Sequence, residues 1–352
     1  MKNRFKLEET ACPLCYLNNT KSVYIGRDRL CKREGEFQVV QCKSCGLMYT
    51  NPRPTQETMG YFYPPDYAPY QAFFVPHVEM FQRRAGLSSK IKNELKYQVL
   101  KDYYGYQELK SAFRSRALAK LPGGIKELIL KLSHSYFRRH YYRIPVWEER
   151  GRALDLGCGS GAYLLLLKNI GWEVIGVDID NNVARKVKEA KIPIFTGELN
   201  NLQIETGSFN VITMWHVLEH LHSPLETLQE IYRLLTDNGS LFIEVPNNVS
   251  IVTRIFRSNW FAWDLPRHLC HFSPVSITKL LNRARFKGVK VRHLSKNTVR
   301  ESAAYWLEGH GVKFDIDQLG KNRFLFYLLK LCGTVLAFFH TSDIIFVMAR
   351  KY

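Results

Sequence analysis

The 352-residue chain is short of acidic residues. Its 32 Asp and Glu stand against 50 Lys and Arg, a formal net charge of +18, and a surplus of that size calls for an anionic partner or surface. No apolar run follows a basic start at the N-terminus, so no secretory signal peptide is expected. Without one, the eight cysteines point to a reducing compartment, where metal binding is expected ahead of disulfides. No apolar run reaches bilayer length: Phe324–Phe339 has the length of a buried or interfacial helix. A recognised nucleic-acid-binding motif is also lacking, which sets nucleic acid aside as the reason for the charge. What remains is ordinary. An apolar fraction of 46% excludes wholesale disorder, and the length admits one large α/β domain with something appended.

Half of the cysteines stand in two pairs, Cys12-Pro-Leu-Cys15 and Cys42-Lys-Ser-Cys-Gly46. Two such knuckles can place four thiolates tetrahedrally around one Zn²⁺. Ser22–Ile25 and Phe37–Gln41 read as short strands between them, so residues 1–62 are expected to form a zinc ribbon. Four cysteine ligands leave no open coordination position, which makes the expected zinc structural. Cys31, Cys158, Cys270 and Cys332 read as packed thiols. Residues 63–150 follow as a basic helical segment. From Gln82 to Arg143 there are fifteen Lys or Arg against four Asp or Glu. Helical spacing is visible in Ile91, Leu95, Val99 and Leu100, and again in Ile125, Leu128, Ile129 and Leu132, with Leu121-Pro-Gly-Gly124 as the break. Two readings stand open here: a basic amphipathic surface for a membrane or anionic ligand, and a solvated charged face.

The remainder, 151–352, is organised around Ala153-Leu-Asp-Leu-Gly-Cys-Gly-Ser-Gly-Ala-Tyr163. A strand, a glycine turn and a helix place backbone N–H groups and a helix N-terminus at the end of a sheet. Gly157, Gly159 and Gly161 permit positive φ and close approach of a ligand to the main chain. Gly157–Ala162 also fits the loose dinucleotide pattern, which is weak evidence on its own. Asp155 beside the turn would repel a pyrophosphate but could hold an ammonium group. Asp178, closing the apolar run Val174–Val177, stands where a carboxylate binds ribose hydroxyls at the tip of the next strand. An amino-acid end, a ribose and no phosphate describe S-adenosylmethionine.

On these residues the chain, from about Arg152 onward, resembles the class I S-adenosylmethionine-dependent methyltransferases. The resemblance implies a Rossmann-like seven-stranded α/β sheet. Alternating elements agree with it: strands are expected at Ala153–Leu156, Glu173–Val177, Ile192–Phe195, Asn210–Met214, Ser240–Val245, Val289–His293 and Asp343–Ala349, with a helical insertion at about 298–342. In that family an acid near the third strand reaches the adenine, which makes Glu198 a candidate, an exposed loop acid being the other reading. The segment Trp215-His-Val-Leu-Glu-His220 recurs there beside the methionine part of the cofactor. It implies that Trp215 and His216 line the transfer cavity, with Glu219 or His220 orienting His216 from one helical face. The spacing lacks the H-E-x-x-H order and shows no third metal ligand. Asn247, after the fifth strand, is placed for substrate. Pro266-Arg-His-Leu-Cys-His-Phe-Ser273 resembles a family signature and makes Arg267 an anion binder. His268 and His271 are its acid–base candidates, with His271 favoured and the other bonding the loop backbone.

The Asn51-Pro-Arg-Pro54 turn and the Tyr61–Tyr67 aromatics resemble a bacterial branch tied to sugar and polysaccharide modification, including sugar C-methyltransferases with an N-terminal zinc module. The implied reaction is methyl transfer to an oxygen or carbon of a nucleotide- or lipid-linked sugar, in the cytoplasm or at the inner face of a membrane. A lipid or quinone-like acceptor and a non-catalytic scaffold are the alternatives.

Overall fold

The computed structural model describes residues 4–64, 87–107, 109, 122–148, 151–189, 191–294, 298–312 and 323–352. Expectations at Pro65–Tyr67, Gln82–Gly86, most of 108–121, and 313–322 lie outside the described residues. Two compact units emerge, one of residues 1–71 with 214–352 and one of 72–213, and they do not follow the linear division 1–62, 63–150 and 151–352.

In the first unit the N-terminal strands are β1 (Leu7–Glu8), β2 (Thr20–Gly26), β3 (Phe37–Cys42), β4 (Met48–Thr50) and β5 (Arg53–Pro54). The two cysteine knuckles repeat one backbone pattern. The Tyr16 amide donates to Cys12 O and the Cys12 amide to Leu17 O; the Gly46 amide donates to Cys42 O and the Cys42 amide to Leu47 O. Each knuckle closes through a left-handed residue, Tyr16 at φ 60° and Gly46 at φ 85°, the second of which glycine accommodates without strain.

The second unit contains α1 (Leu87–Tyr104), α2 (Gly123–His140), β6 (Arg152–Leu156), α3 (Ala162–Asn169), β7 (Glu173–Asp178), α4 (Asn181–Glu189) and β8 (Ile194–Thr196); β9 (Phe209–Trp215) ends just beyond it. Strands β6, β7 and β8 are mutually parallel, as the strand–helix alternation requires. The basic segment is helical in both expected places. On α2, however, Ile125, Leu128 and Leu132 are exposed, while Leu130 and Phe137 are buried. The apolar spacing marks a solvent-facing stripe as well as a packed one.

The first unit resumes with α5 (Pro224–Leu234), β10 (Leu235–Pro246), α6 (Ile251–Phe256), β11 (Cys270–His271), α7 (Pro274–Arg283), β12 (Lys287–His293), α8 (Val299–Gly309), α9 (Arg323–Phe338) and β13 (Ile344–Arg350). Ser273 caps α7 in a reciprocal pair with Ser276, with Pro274 in the first turn, as its sequence predicts. Strand β10 begins before the expected Ser240 and runs through Asn238, which stands at φ 64°.

Numbered in chain order, the seven strands of the large sheet lie 3-2-1-4-5-7-6. The last strand runs antiparallel to both of its neighbours, β10 and β12. A second, four-stranded sheet has the order β11-β4-β3-β2. The segment holding the expected histidine signature is thus an edge strand of the cysteine module's own sheet, with Cys270 opposite Tyr49 and His271 opposite Met48. Phe37, Val39 and Phe62 share one core with Val252, Trp260, Trp263 and Leu265, so the N-terminal module and this segment bury a common apolar surface.

Candidate active site

The glycine loop leaves β6 with Gly157, Gly159 and Gly161 all at positive φ (67°, 50° and 72°). The Gly157 and Cys158 amides donate to Val177 O, and the Gly161 amide to Cys158 O. A Cβ on Gly159 would meet nothing within 4 Å, whereas one on Gly161 would come within 2.9 Å of Val187 Cγ2. The two glycines answer different demands: Gly159 keeps one face of the loop open, and Gly161 lets α3 close on α4. No side chain caps α3, so its first amides are left for a ligand.

Asp155 is 1% exposed and accepts a 2.5 Å hydrogen bond from the Thr213 hydroxyl. Burial lifts its pKa to about 7, with the Thr213 hydroxyl opposing the rise. Asp178 accepts the Gly159 amide at 2.9 Å on one oxygen and the Asp180 amide at 3.0 Å on the other. It fastens the loop it was expected only to flank, and each oxygen retains a second lone pair. Its pKa is raised by burial, against these amide bonds. Glu198 is exposed after β8. An open glycine face, uncapped helix amides and two carboxylates fit the amino-acid and ribose ends of S-adenosylmethionine.

In the other unit, Trp215 at the end of β9 stacks on Phe346 with ring centroids 6.3 Å apart. His216 takes the left-handed conformation, φ 58°. The expected helical face is therefore absent, and a single 3-10 turn spans Leu218–His220. Glu219 does orient His216: Nδ1 lies 3.2 Å from Glu219 Oε1, and Nε2 lies 3.2 Å from Glu244 Oε1. Burial pulls against protonation, but the two carboxylates prevail and raise the pKa to about 9. His216 is an imidazolium donating from both nitrogens, so it has no lone pair with which to take a proton.

Three further expectations are corrected. Arg267 is fully buried and binds no exchangeable anion. It pairs with Asp28 at 2.7 and 2.9 Å and with Asp264 at 2.7 Å, and donates to Phe62 O at 3.0 Å. Asn247 is 1% exposed; its amide nitrogen donates to Ser342 O and its oxygen accepts from the Val249 amide, so it holds the β10–β13 end in shape. His271 is sealed by the β11–β4 pairing, 3.5 Å from Thr50 Oγ1 and edge-on to Trp263. Burial holds its pKa well below the usual histidine range, leaving it neutral.

His268 donates from Nδ1 to Ala262 O at 2.8 Å. It is brought to residues that sequence reasoning passed over as a site. His220, 4.7 Å away ring to ring, has Nδ1 3.0 Å from Arg267 O and 2.9 Å from Tyr63 Oη. Burial lowers the His220 pKa to about 4. The Glu219 carbonyl accepts the Leu269 amide at 2.7 Å, tying this turn to the signature segment. A fifty-residue gap hides the meeting of His220 with His268 from any local pattern.

The four cysteine sulfurs lie within 4.8 Å of one another, with Cys12–Cys45 at 3.5 Å and Cys15–Cys42 at 3.4 Å. A tetrahedron of Zn–S bonds near 2.3 Å requires sulfurs about 3.8 Å apart, so the donor set fits a four-thiolate zinc.

A family described as "Methyltransferase domain" matches residues 113–291. A probable S-adenosylmethionine-dependent methyltransferase of Mycolicibacterium smegmatis is 27% identical over 157 residues, 43% of this chain and 59% of that protein. The mitochondrial ubiquinone biosynthesis O-methyltransferase of Saccharomyces cerevisiae is 32% identical over 131 residues, 34% of this chain and 42% of that protein. The chain thus spans less than two thirds of these relatives. A crystal structure of a SAM-dependent methyltransferase from Archaeoglobus fulgidus aligns with a TM-score of 0.41 at 22% identity, covering 63% of this chain and 94% of that one.

Removing one partner of a buried ion pair leaves the other charge uncompensated, at a cost of about 3–5 kcal/mol. Arg267→Met, which leaves Asp28 and Asp264 buried without their cation, is therefore expected to lower unfolding stability by about that amount in urea titration. A loss no larger than a surface substitution gives would contradict the structural role assigned to Arg267.

Proposed function

We propose that this chain, which belongs to the methyltransferase-domain family, catalyses S-adenosylmethionine-dependent methyl transfer to an oxygen or carbon nucleophile of a small acceptor, a nucleotide- or lipid-linked sugar. The observation that carries the reading is the loop between Asp155 and Asp178, open at Gly159 and lined by backbone amides and two carboxylates. When bound, the cofactor would supply an electrophilic sulfonium methyl group, to whose carbon the acceptor's nucleophile bonds as the C–S bond breaks and its electron pair leaves with the thioether sulfur. Asp155 pairs with the cofactor's ammonium group, the main chain at Gly157, Gly159 and Gly161 receives its amino-acid end, and Asp178 accepts from the ribose hydroxyls. Glu198 is assigned to the adenine and Trp215 to the flank of the cofactor. Alignment of donor and acceptor provides most of the acceleration.

The acceptor falls to the cluster of Glu219, His220 and His268. Of the three histidines expected to be catalytic, His216 is held between two carboxylates and His271 is sealed in the interior, whereas His268 is engaged through Nδ1 by Ala262 O. The sugar reading is supported by the way the four-cysteine module reaches this cluster. Tyr63 touches His220, and the Thr50 hydroxyl donates to His268 O at 2.8 Å. The module, with a structural zinc, braces the acceptor-binding groups.

A second reading, a lipid or quinone-like acceptor taken from an anionic membrane surface, is favoured by a different observation. Leu328, Leu331, Val335, Phe338 and Phe339 are all exposed, forming one stripe on and just beyond α9. No helix of the described residues is long and apolar enough to cross a membrane, and a surface-lying helix needs no more than such a stripe beside basic residues.

Calorimetric titration of S-adenosylhomocysteine into the zinc-replete protein tests the main reading. Binding is expected in the parent and a loss of at least tenfold in Asp155→Ala and Asp178→Ala, roughly one charge-assisted hydrogen bond each. No binding to soundly folded parent would leave the scaffold alternative standing. The pH dependence carries a sign. Asp155 is protonated below about pH 7 and must ionise to meet an ammonium group, so affinity rises as pH increases through 7 and levels above it. Asp155→Asn should give a weak, flat profile, and a parent profile falling over the same range would refute the pairing. For the second reading, co-sedimentation with vesicles containing anionic lipid is expected to drop severalfold in Leu331→Glu/Phe338→Glu; equal sedimentation removes the membrane surface from consideration.

A further inference from the structure

We propose that Glu219, His220 and His268 form a binding site for one divalent transition-metal ion, separate from the four-cysteine cluster. A carboxylate oxygen and two ring nitrogens from these residues lie within 4.8 Å of one another. The hydrogen bonds around them determine what each atom can offer. His220 Nδ1 lies 3.0 Å from Arg267 O and 2.9 Å from Tyr63 Oη. The carbonyl can only accept, so the tautomer that satisfies both contacts carries its proton on Nδ1, with the Tyr63 hydroxyl oxygen accepting, and keeps the lone pair on Nε2. The 2.8 Å contact of His268 Nδ1 with Ala262 O does the same on that ring. His268 Nε2 is 3.8 Å from Asp264 Oδ2, too long for a hydrogen bond. Glu219 is 1% exposed, and its Oε2 has no hydrogen-bond partner.

Each of the three residues therefore keeps an acceptor atom, and their ligand atoms stand close enough together to share one cation. In a buried setting that arrangement is costly, since an unpaired carboxylate oxygen forfeits its hydration without return. A bound cation removes the cost. The surroundings have the form that metal ligands take: each imidazole is fixed through Nδ1 by a backbone carbonyl, and the other oxygen of the carboxylate is held by His216, itself anchored on Glu244. Two imidazoles and one carboxylate suit an ion of the zinc, iron or nickel type over magnesium or calcium. Three protein ligands also leave a coordination position open. An acceptor oxygen can fill it, a role that rests on the acceptor reading above; the binding site itself does not.

Metal content of the full chain, equilibrated with zinc and desalted, tests the site without reference to cofactor or activity. About two ions per chain are expected in the parent and about one in Glu219→Gln and His268→Asn, the thiolate-bound ion persisting as a check on folding. Cobalt(II) titration of the parent needs no variant. The cysteine cluster gives thiolate charge-transfer absorption, and the proposed site adds weaker visible bands without charge transfer. A spectrum made of thiolate charge transfer alone, or unchanged metal content in both variants, overturns the proposal. Because S-adenosylhomocysteine binding is read separately, failure of the metal site and failure of the methyltransferase reading are distinguishable.

Discussion

The buried guanidinium of Arg267 is the constraint on which the first unit depends. It joins Asp28, Asp264 and the Phe62 carbonyl, three points far apart in sequence. Asp28 in turn accepts amides of Leu30 and Cys31. One cation thereby closes the loop between β2 and β3, pins the end of the aromatic turn and fixes the start of the histidine segment. A lysine would not serve, because a single ammonium lacks the planar fork that meets two carboxylates and a carbonyl at once. Such a pair adds little net stability compared with apolar packing, and its value lies in the single arrangement it permits.

From that anchor the chemistry of the histidines follows. His268 and His271 are three residues apart yet differ in surroundings. His271 enters an edge strand paired with β4 and becomes a neutral interior ring, whereas His268 lies one turn from Asp264 and faces His220. His216 is left without a lone pair by two carboxylates, each accepting the proton of one ring nitrogen. The result is a division among four histidines that no ranking by residue type anticipates: one imidazolium, one sealed ring and two opposed lone pairs. These two, with Glu219, are the groups assigned to the acceptor and to the proposed metal.

The loop in the other unit works through backbone geometry. Three positive-φ glycines turn the chain from β6 into α3, and Asp178 clamps the turn through the Gly159 amide. The carboxylate assigned to ribose is thus already part of the loop's structure, so its substitution is expected to disturb both loop shape and ligand contact. Asp155, by contrast, meets one hydroxyl and otherwise stands in a dry setting, which is why its proton stays on to about pH 7.

Elements whose causes are local were legible in the sequence. The glycine loop needs residues that tolerate positive φ, the knuckles need cysteines three apart, and β6, β7 and β9 announce themselves as apolar runs; each was placed to within a residue or two. The α7 start was visible because a cap and its proline are neighbours in sequence. What could not be read was set by partners distant along the chain. Arg267 and Asn247 carry polar groups that suit a substrate, and only the fold brings Asp28, Phe62 and Ser342 close enough to occupy them. His271 and His268 are equivalent as side chains, and strand pairing with β4 separates them. The third member of the Glu219–His220 group comes from nearly fifty residues onward, for the same reason. Sequence determines which side chains are available for chemistry, and burial together with long-range pairing decides which of them remain free to perform it.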